Sequence, residues 1–144
     1  MNREIKFRGK REDNGEWVVG SLISLKPEIA EIFYLKNAHK EKGNETACVY
    51  VDPKTVGQYT SLKDKNGKEA YEGDIVKDNQ GVIYTIFFDE GGFVMESCPK
   101  AFGYGSQGGT NPTSPLADKQ TASWFLGCCE IIGNIHDNPE LLER

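Results

Sequence analysis

The sequence predicts a mostly β fold, and three observations carry that reading. The 144 residues include 16 glycines and 6 prolines, a supply of chain reversals that suits short strands better than long helices. Apolar residues recur with period two in short runs bounded by Gly, Asn, Asp and Pro. No heptad and no internal repeat is present. With 38% hydrophobic and 27% charged residues, the composition is that of a folded, soluble body. The length suits a single domain over 1–144, large enough to bury most of the surface its unfolded form exposes.

Taken in order, Ile5 and Phe7 alternate with Lys6 and Arg8, the period of a half-buried strand. Residues 9–15 turn, with Asn14-Gly15 as a tight-turn dipeptide, and Trp17 to Leu25 returns, giving a first hairpin. Pro27 to Leu35 fits either a short amphipathic helix or a strand, and its β-branched and aromatic content favours the strand. Residues 37–44 form a polar hairpin tip, and Ala47 to Val51 resumes as a strand with Cys48 and Tyr50 facing away from Val49 and Val51. Asp52-Pro53-Lys54-Thr55-Val56 suits one helical turn, Asp52 capping and Pro53 at the first helical position.

The stretch Gly57 to Lys77 holds two turns and two tyrosines at close spacing. Asp64-Lys65-Asn66-Gly67-Lys68 is a hairpin turn in which Gly67 supplies a positive φ. At Glu72-Gly73-Asp74 a left-handed Gly73 and a backbone-capping Asp74 start the strand through Ile75-Val76. After a turn at Asp78-Asn79-Gln80-Gly81, the run to Phe88 is apolar on both alternations and is expected to be central and covered on each side. Asp89 to Gly92 turns it back into Phe93-Val94-Met95. Residues 97–121 shift to Gly, Ser, Pro, Asn and Gln and are expected to form a long flexible inserted loop. Trp124 to Leu126 and Cys129 to Ile135 read as closing strands, and Asn138-Pro139-Glu140-Leu141-Leu142 as a capped last helical turn.

Three parts of the chain resemble the YopX family of small phage and prophage proteins. The centre is Val56-Gly57-Gln58-Tyr59-Thr60, Leu62-Lys63-Asp64-Lys65-Asn66-Gly67-Lys68-Glu69 and Tyr71-Glu72-Gly73-Asp74-Ile75-Val76. Near the start stand Phe7-Arg8-Gly9-Lys10 and Trp17-Val18, and at the end the run from Ile131-Ile132-Gly133-Asn134 to Leu142. The chain departs from the family's usual residues at Ser61 (commonly glycine), Ala70 (a larger aliphatic) and His136 (tyrosine). The resemblance implies a fold and a phage setting; it brings no reaction with it. The Tyr71 to Val76 entry is also similar to strand entries of small SH3-like barrels, so an SH3-like barrel element is expected, with Tyr59, Lys63, Lys65 and Tyr71 as candidate partner-binding residues. The alternative for Tyr59 and Tyr71 is packing at the two ends of the corner.

Charge and chemistry narrow the function. The net charge of −5 opposes unspecific nucleic-acid binding by the whole molecule. Basic residues nevertheless gather at the start: Arg3, Lys6, Arg8, Lys10 and Arg11 are candidates for contacting phosphate, or else the charges that protect an edge strand. No apolar run reaches the ~18 residues of a membrane span, and no signal-peptide pattern opens the chain. The four cysteines, Cys48, Cys98, Cys128 and Cys129, form no Cys-x-x-Cys pair, so no metal site is expected and the thiols suit a reducing cytoplasm. His136 and Asp137 are neighbours and make no triad, and no phosphate-binding glycine motif or other cofactor signature occurs. The expectation is a cytoplasmic phage or prophage accessory protein that binds or assembles without catalysing. Its rivals are a nucleic-acid-binding module using the basic N-terminal strand, an enzyme with a site under residues 97–121, and self-association into a homo-oligomer.

Overall fold

The computed structural model describes residues 3–36, 45–89, 91–97 and 113–142. Within them the protein is mostly β, with eleven strands and one α-helix, and all strand pairs are antiparallel. The chain divides into two compact units, Met1–Tyr59 and Thr60–Arg144.

The first unit contains β1 (Phe7–Lys10), β2 (Trp17–Lys26), β3 (Ile29–Leu35), β4 (Thr46–Val51) and the start of β5 (Gly57–Lys63), in spatial order β4-β3-β2-β1-β5. The first hairpin forms as the sequence predicts, with Phe7 opposite Gly20 and Lys10 opposite Trp17. Its turn is shorter than expected, because Gly9 and Lys10 remain in β1; Gly15 takes the positive φ of 72°. The ambiguous segment after Pro27 is a strand, β3, paired along its length with β4. One face carries the core: Val18, Ala30, Ile32 and Val51 are buried, with Leu22, Tyr34, Val49 and Val56 against them. Gly9 lies under that core, where an added Cβ would sit 2.9 Å from Val51 Cγ2. The helical turn at Pro53–Thr55 is a 3-10 turn capped by Asp52, whose Oδ1 accepts from the Lys54 N–H at 3.0 Å. Thr55 Oγ1 then accepts from the Lys10 N–H and stitches this turn to β1. One end of β4 also meets the end of β1, through an Arg11–Val51 bridge and bonds from Glu12 N–H to Tyr50 O and from Asp52 N–H to Lys10 O. These bonds join only the strand ends, so the sheet curls without closing, and the described residues contain no closed barrel. The predicted tip at residues 37–44 lies outside the described residues.

In the second unit the rest of β5 pairs with β6 (Glu69–Tyr71) across the Asn66-Gly67 turn, where Gly67 has φ 82°. A five-stranded sheet follows, in order β10-β9-β8-β7-β11, from β7 (Asp74–Lys77), β8 (Ile83–Asp89), β9 (Gly92–Ser97), β10 (Thr113–Pro115) and β11 (Glu130–Asn134). Its core is Ala70, Val76, Ile86, Met95, Leu116, Phe125, Cys129 and Ile131. β8 is central as expected, but its cover is incomplete: Ile83 and Ile86 are buried, while Phe88 is 52% exposed and meets Phe93 edge to face.

Two expectations are corrected here. Part of the stretch 97–121 is regular structure, since β10 pairs with β9 and an α-helix, α1 (Lys119–Cys128), starts within it; residues 98–112 lie outside the described residues. Trp124 to Leu126 is not a strand but the middle of α1. Asp118 explains both, because its carboxylate accepts from the Thr121 N–H and caps the helix start just where the composition looks loop-like. At the far end Pro139–Leu142 forms a 3-10 turn, while the Asn138 side chain reaches back to the Asn134 N–H at 3.3 Å.

Ser61 is the one non-glycine residue with positive φ, at 72°, among the described residues. A Cβ in the left-handed region costs about 1–2 kcal/mol, partly offset by the greater unfolded-state freedom of glycine. Ser61→Gly is therefore expected to stabilise the protein by about 0.5–1 kcal/mol. Urea unfolding at constant m-value checks this, and a loss of stability would refute the strain. The same geometry accounts for glycine at this place in the family pattern that the sequence resembles.

Candidate functional site

The tyrosine-bounded corner is built from turns that carboxylates hold together. Asp64 is 1% exposed; its Oδ1 accepts from the N–H groups of Asn66 and Lys68 at 2.9 and 2.8 Å, and its Oδ2 from that of Ile131 at 2.9 Å. Asp74, equally buried, accepts from the Tyr71 N–H at 2.7 Å. Gly73, at φ 89°, donates its N–H to Ile86 O and accepts from Ile135 N–H, both at 2.8 Å. Asp78 repeats the device one turn later, accepting from Gln80 and Val82 N–H and from the Tyr84 hydroxyl at 3.1 Å. Apart from the Tyr84 hydroxyl bond, all these contacts position backbone. Among the described residues no three His, Cys, Asp or Glu side chains are arranged to hold a metal ion.

Cys129 ends α1 fully buried. Burial, then the charges of Asp78, Cys128 and Asp64, push its thiol from the ordinary 9.0 up to about 12. Burial and Asp78 push the Tyr84 phenol up as well. The sign of the pH effect follows: the unfolded chain releases the Cys129 proton near 9 while the folded chain keeps it. The stabilisation is thus complete below about pH 9 and is lost as pH rises through about 12. Urea midpoints are expected to fall across that range, with a shallower alkaline fall in Cys129→Ala; equal slopes would reject the assignment.

The sequence-derived candidates are placed unevenly. Tyr59 and Tyr71 are buried, at 6% and 5% exposure, so their rings pack inside rather than offering surface. Lys63 and Lys65 are exposed, with Lys65 Nζ 4.0 Å from Glu130 Oε2. Lys6, just before β1, and Arg8 and Lys10 on it share one face by extended-chain alternation. Lys6 Nζ lies 4.7 Å from the centre of the Tyr59 ring and 3.2 Å from Glu4 Oε1. The Arg8 guanidinium and Lys10 Nζ lie 4.8 and 5.7 Å from the centre of the Trp17 ring. Arg11 instead grips Asp13 through two bonds of 2.9 and 2.6 Å, which raises the guanidinium pKa and lowers that of the carboxyl. Arg3 is exposed before the first strand.

The face that bears these cations continues across β2, β3 and β4. Strand register puts Arg8 beside Val19, Ser21 beside Phe33, and Phe33 beside Cys48. This side, opposite the core, exposes Val19 (42%), Ile23 (39%), Phe33 (44%), Leu35 (50%) and Tyr50 (58%). Glu12 and Asp13 border it, lining a surface depression with Cys48, Val49 and Tyr50. The sequence reading did not single out this patch. Its signal was there: apart from Glu31, β3 is apolar on both alternations, yet nothing around it promised a second cover.

The family model described as YopX protein matches residues 6–143. Among solved structures, the crystal structure of protein EF1440 from Enterococcus faecalis superimposes with a TM-score of 0.59 at 22% identity, covering 99% of this chain and 100% of that one. No curated protein matches the sequence.

Proposed function

The chain belongs to the YopX family, and from that premise we propose that it works by binding rather than by catalysis, as an assembly accessory protein of phage or prophage origin in the cytoplasm of a bacterial host. The observation that supports this most directly is the outer face of the first sheet. Five large apolar side chains are 39–58% exposed there on contiguous strands around Glu31, and the largest apolar patch of a soluble protein is often its functional surface. In this reading the corner at Tyr71-Glu72-Gly73-Asp74 is the SH3-like strand entry, a scaffold in which Asp74 is consumed by a backbone bond. Affinity capture from extracts of an induced lysogen tests the proposal: a retained partner should be lost with Tyr50→Asp. Capture unaffected by that change, or turnover of a small-molecule substrate, would overturn it.

One observation favours a second reading. Lys6, Arg8 and Lys10 form a row held against aromatic rings, a strip that could follow a phosphate backbone. Three such contacts with single-stranded nucleic acid would give a slope of log affinity against log salt of about −2. Filter binding at rising salt decides, and the absence of salt-sensitive retention rejects this reading.

A further inference from the structure

We infer that the partner enters at the free edge of β4, as an extended peptide strand that sets a lysine or arginine opposite Cys48. The inference rests on the binding role proposed above and names the kind of partner. It stands on the backbone of that edge and on the side chains around it.

β4 ends its sheet, because the order β4-β3-β2-β1-β5-β6 leaves no strand beyond it among the described residues. In its antiparallel ladder with β3, alternate residues turn their backbone groups outward, and the bonds at its two ends identify which. Glu45 O accepts from Lys36 N–H on the β3 side, whereas Tyr50 O accepts from Glu12 N–H, and Asp52 N–H donates to Lys10 O, on the far side. Even-numbered residues therefore face away from β3. Arg11 and Glu12 cover the Tyr50 to Asp52 end of this edge, and no described strand continues along Thr46 and Cys48. Natural edges are blunted by charge, proline or a bulge. Thr46-Ala47-Cys48-Val49-Tyr50-Val51 has none of these, and its pairing with β3 is regular throughout. What remains is a template on which an added strand makes main-chain bonds.

The side chains decide which strand fits. Residues directly opposite each other share a face, so Ile23, Glu31, Tyr50 and Glu12 make one row across the outer face, and Phe33 and Cys48 belong to the next. Cys48 Sγ accordingly lies 3.8 Å from Glu31 Oε1. A residue added opposite Cys48 stands one alternation beyond Glu12 and diagonal to the Tyr50 ring, which is 58% exposed. Its side chain reaches an aromatic ring flanked by two carboxylates, and that setting selects a cation. Glu12, Asp13, Cys48, Val49 and Tyr50 line a depression at the same place. Val49 packs toward the core while Cys48 and Tyr50 are exposed on the other side, so the hollow lies at the rim of β4, where the added chain runs. Asp13 is gripped by Arg11, which leaves the pairing to Glu12 and Glu31. β4 itself carries no basic residue, so a second copy paired edge to edge would leave both carboxylates unanswered. A nucleic acid would be repelled by them.

The test is fluorescence anisotropy of short labelled peptides of alternating threonine and valine, with lysine, arginine, alanine or glutamate at the centre, titrated with the full chain up to about 1 mM. The lysine and arginine peptides are expected to bind about 10-fold more tightly than the glutamate peptide, with a smaller gap at high salt. Glu12→Lys should remove that preference. Cys48→Pro deletes an outward N–H and no bond to β3, and should weaken binding of the lysine peptide about 10-fold, whereas Cys48→Ser should leave it within about 2-fold. Unchanged circular dichroism shows that each variant folds; Glu12 is exposed, so Glu12→Lys decides the matter if Cys48→Pro does not fold. Peptides that fail to bind, or that bind alike with lysine and glutamate, overturn the inference. So does a dimer of the chain at these concentrations that Cys48→Pro abolishes, since the occupant is then a second copy. A captured partner lost with Tyr50→Asp but indifferent to Cys48→Pro keeps the binding role on the face and ends the edge. Capture unaffected by Tyr50→Asp ends the binding role itself.

Discussion

Asp64→Ala is expected to remove about 4 kcal/mol from the unfolding free energy, the largest effect of any polar substitution in the second unit. Three N–H groups converge on this carboxylate, which is 1% exposed. Bonds to a charged acceptor contribute about 1.5–3 kcal/mol each, and the three are unequal. Those from Asn66 and Lys68 belong to an exposed turn, and water replaces the lost acceptor. The third comes from buried Ile131, 67 residues away in sequence, and no water replaces it. Ile131 carries both the pairing of β11 with β7 and part of the core, so an orphaned N–H there disturbs the strand that completes the sheet. Asp64→Asn keeps one acceptor oxygen but sets an NH2 against the Ile131 N–H, and should cost about 2–3 kcal/mol. Asp78→Ala, on a half-exposed turn, should cost about 1–2 kcal/mol. Urea unfolding of the three variants gives the ranking. A loss under about 1 kcal/mol in Asp64→Ala would mean that Asp64 decorates the corner and does not tie it to β11.

The contrast between Asp64 and α1 shows what was legible in the sequence. Local devices were readable: Asn66-Gly67, Glu72-Gly73-Asp74 and Asp52-Pro53 announce positive φ and caps within four residues, and each forms. What Asp64 grips across the chain was not readable, because hydrogen-bond geometry over 67 residues leaves no local pattern. The outer face was missed for a related reason. Alternation in β3 shows that both faces are apolar but for Glu31, and only the arrangement of its neighbours shows that one of them lacks a cover. Tyr59 and Tyr71 have the residue type of binding platforms and the burial of core residues, so of the two readings the sequence offers for them it is packing that fits their place. The alternation of Lys6 and Arg8 against Ile5 and Phe7 was legible, whereas the sequence put Lys10 in the turn; that it joins them, and that Trp17, Tyr59 and Glu4 are their partners, required coordinates.

The helix misread as a strand makes the second large prediction. Trp124-Phe125-Leu126 is aromatic and bulky, the composition of a strand, and in a strand Trp124 and Leu126 would share one face with Phe125 on the other. In α1, side chains instead sit about 100° apart, and burial follows the helical arrangement. Phe125 is wholly buried among Val76, Ile86 and Met95, Trp124 meets the Tyr84 ring edge-on at 5.6 Å, and Leu126 is 59% exposed. Phe125→Ala should therefore cost about 4 kcal/mol, the transfer of a large side chain plus the cavity it leaves in a rigid core. Trp124→Ala should cost about 2 kcal/mol, since one edge of the ring already faces water. Leu126→Ala should stay within about 0.5 kcal/mol, because alanine restores in helix propensity what little packing is lost. A closing strand would instead make positions 124 and 126 equally sensitive. Denaturant midpoints for the three variants therefore separate the two geometries, and a Leu126→Ala loss matching that of Trp124→Ala would argue against the helix.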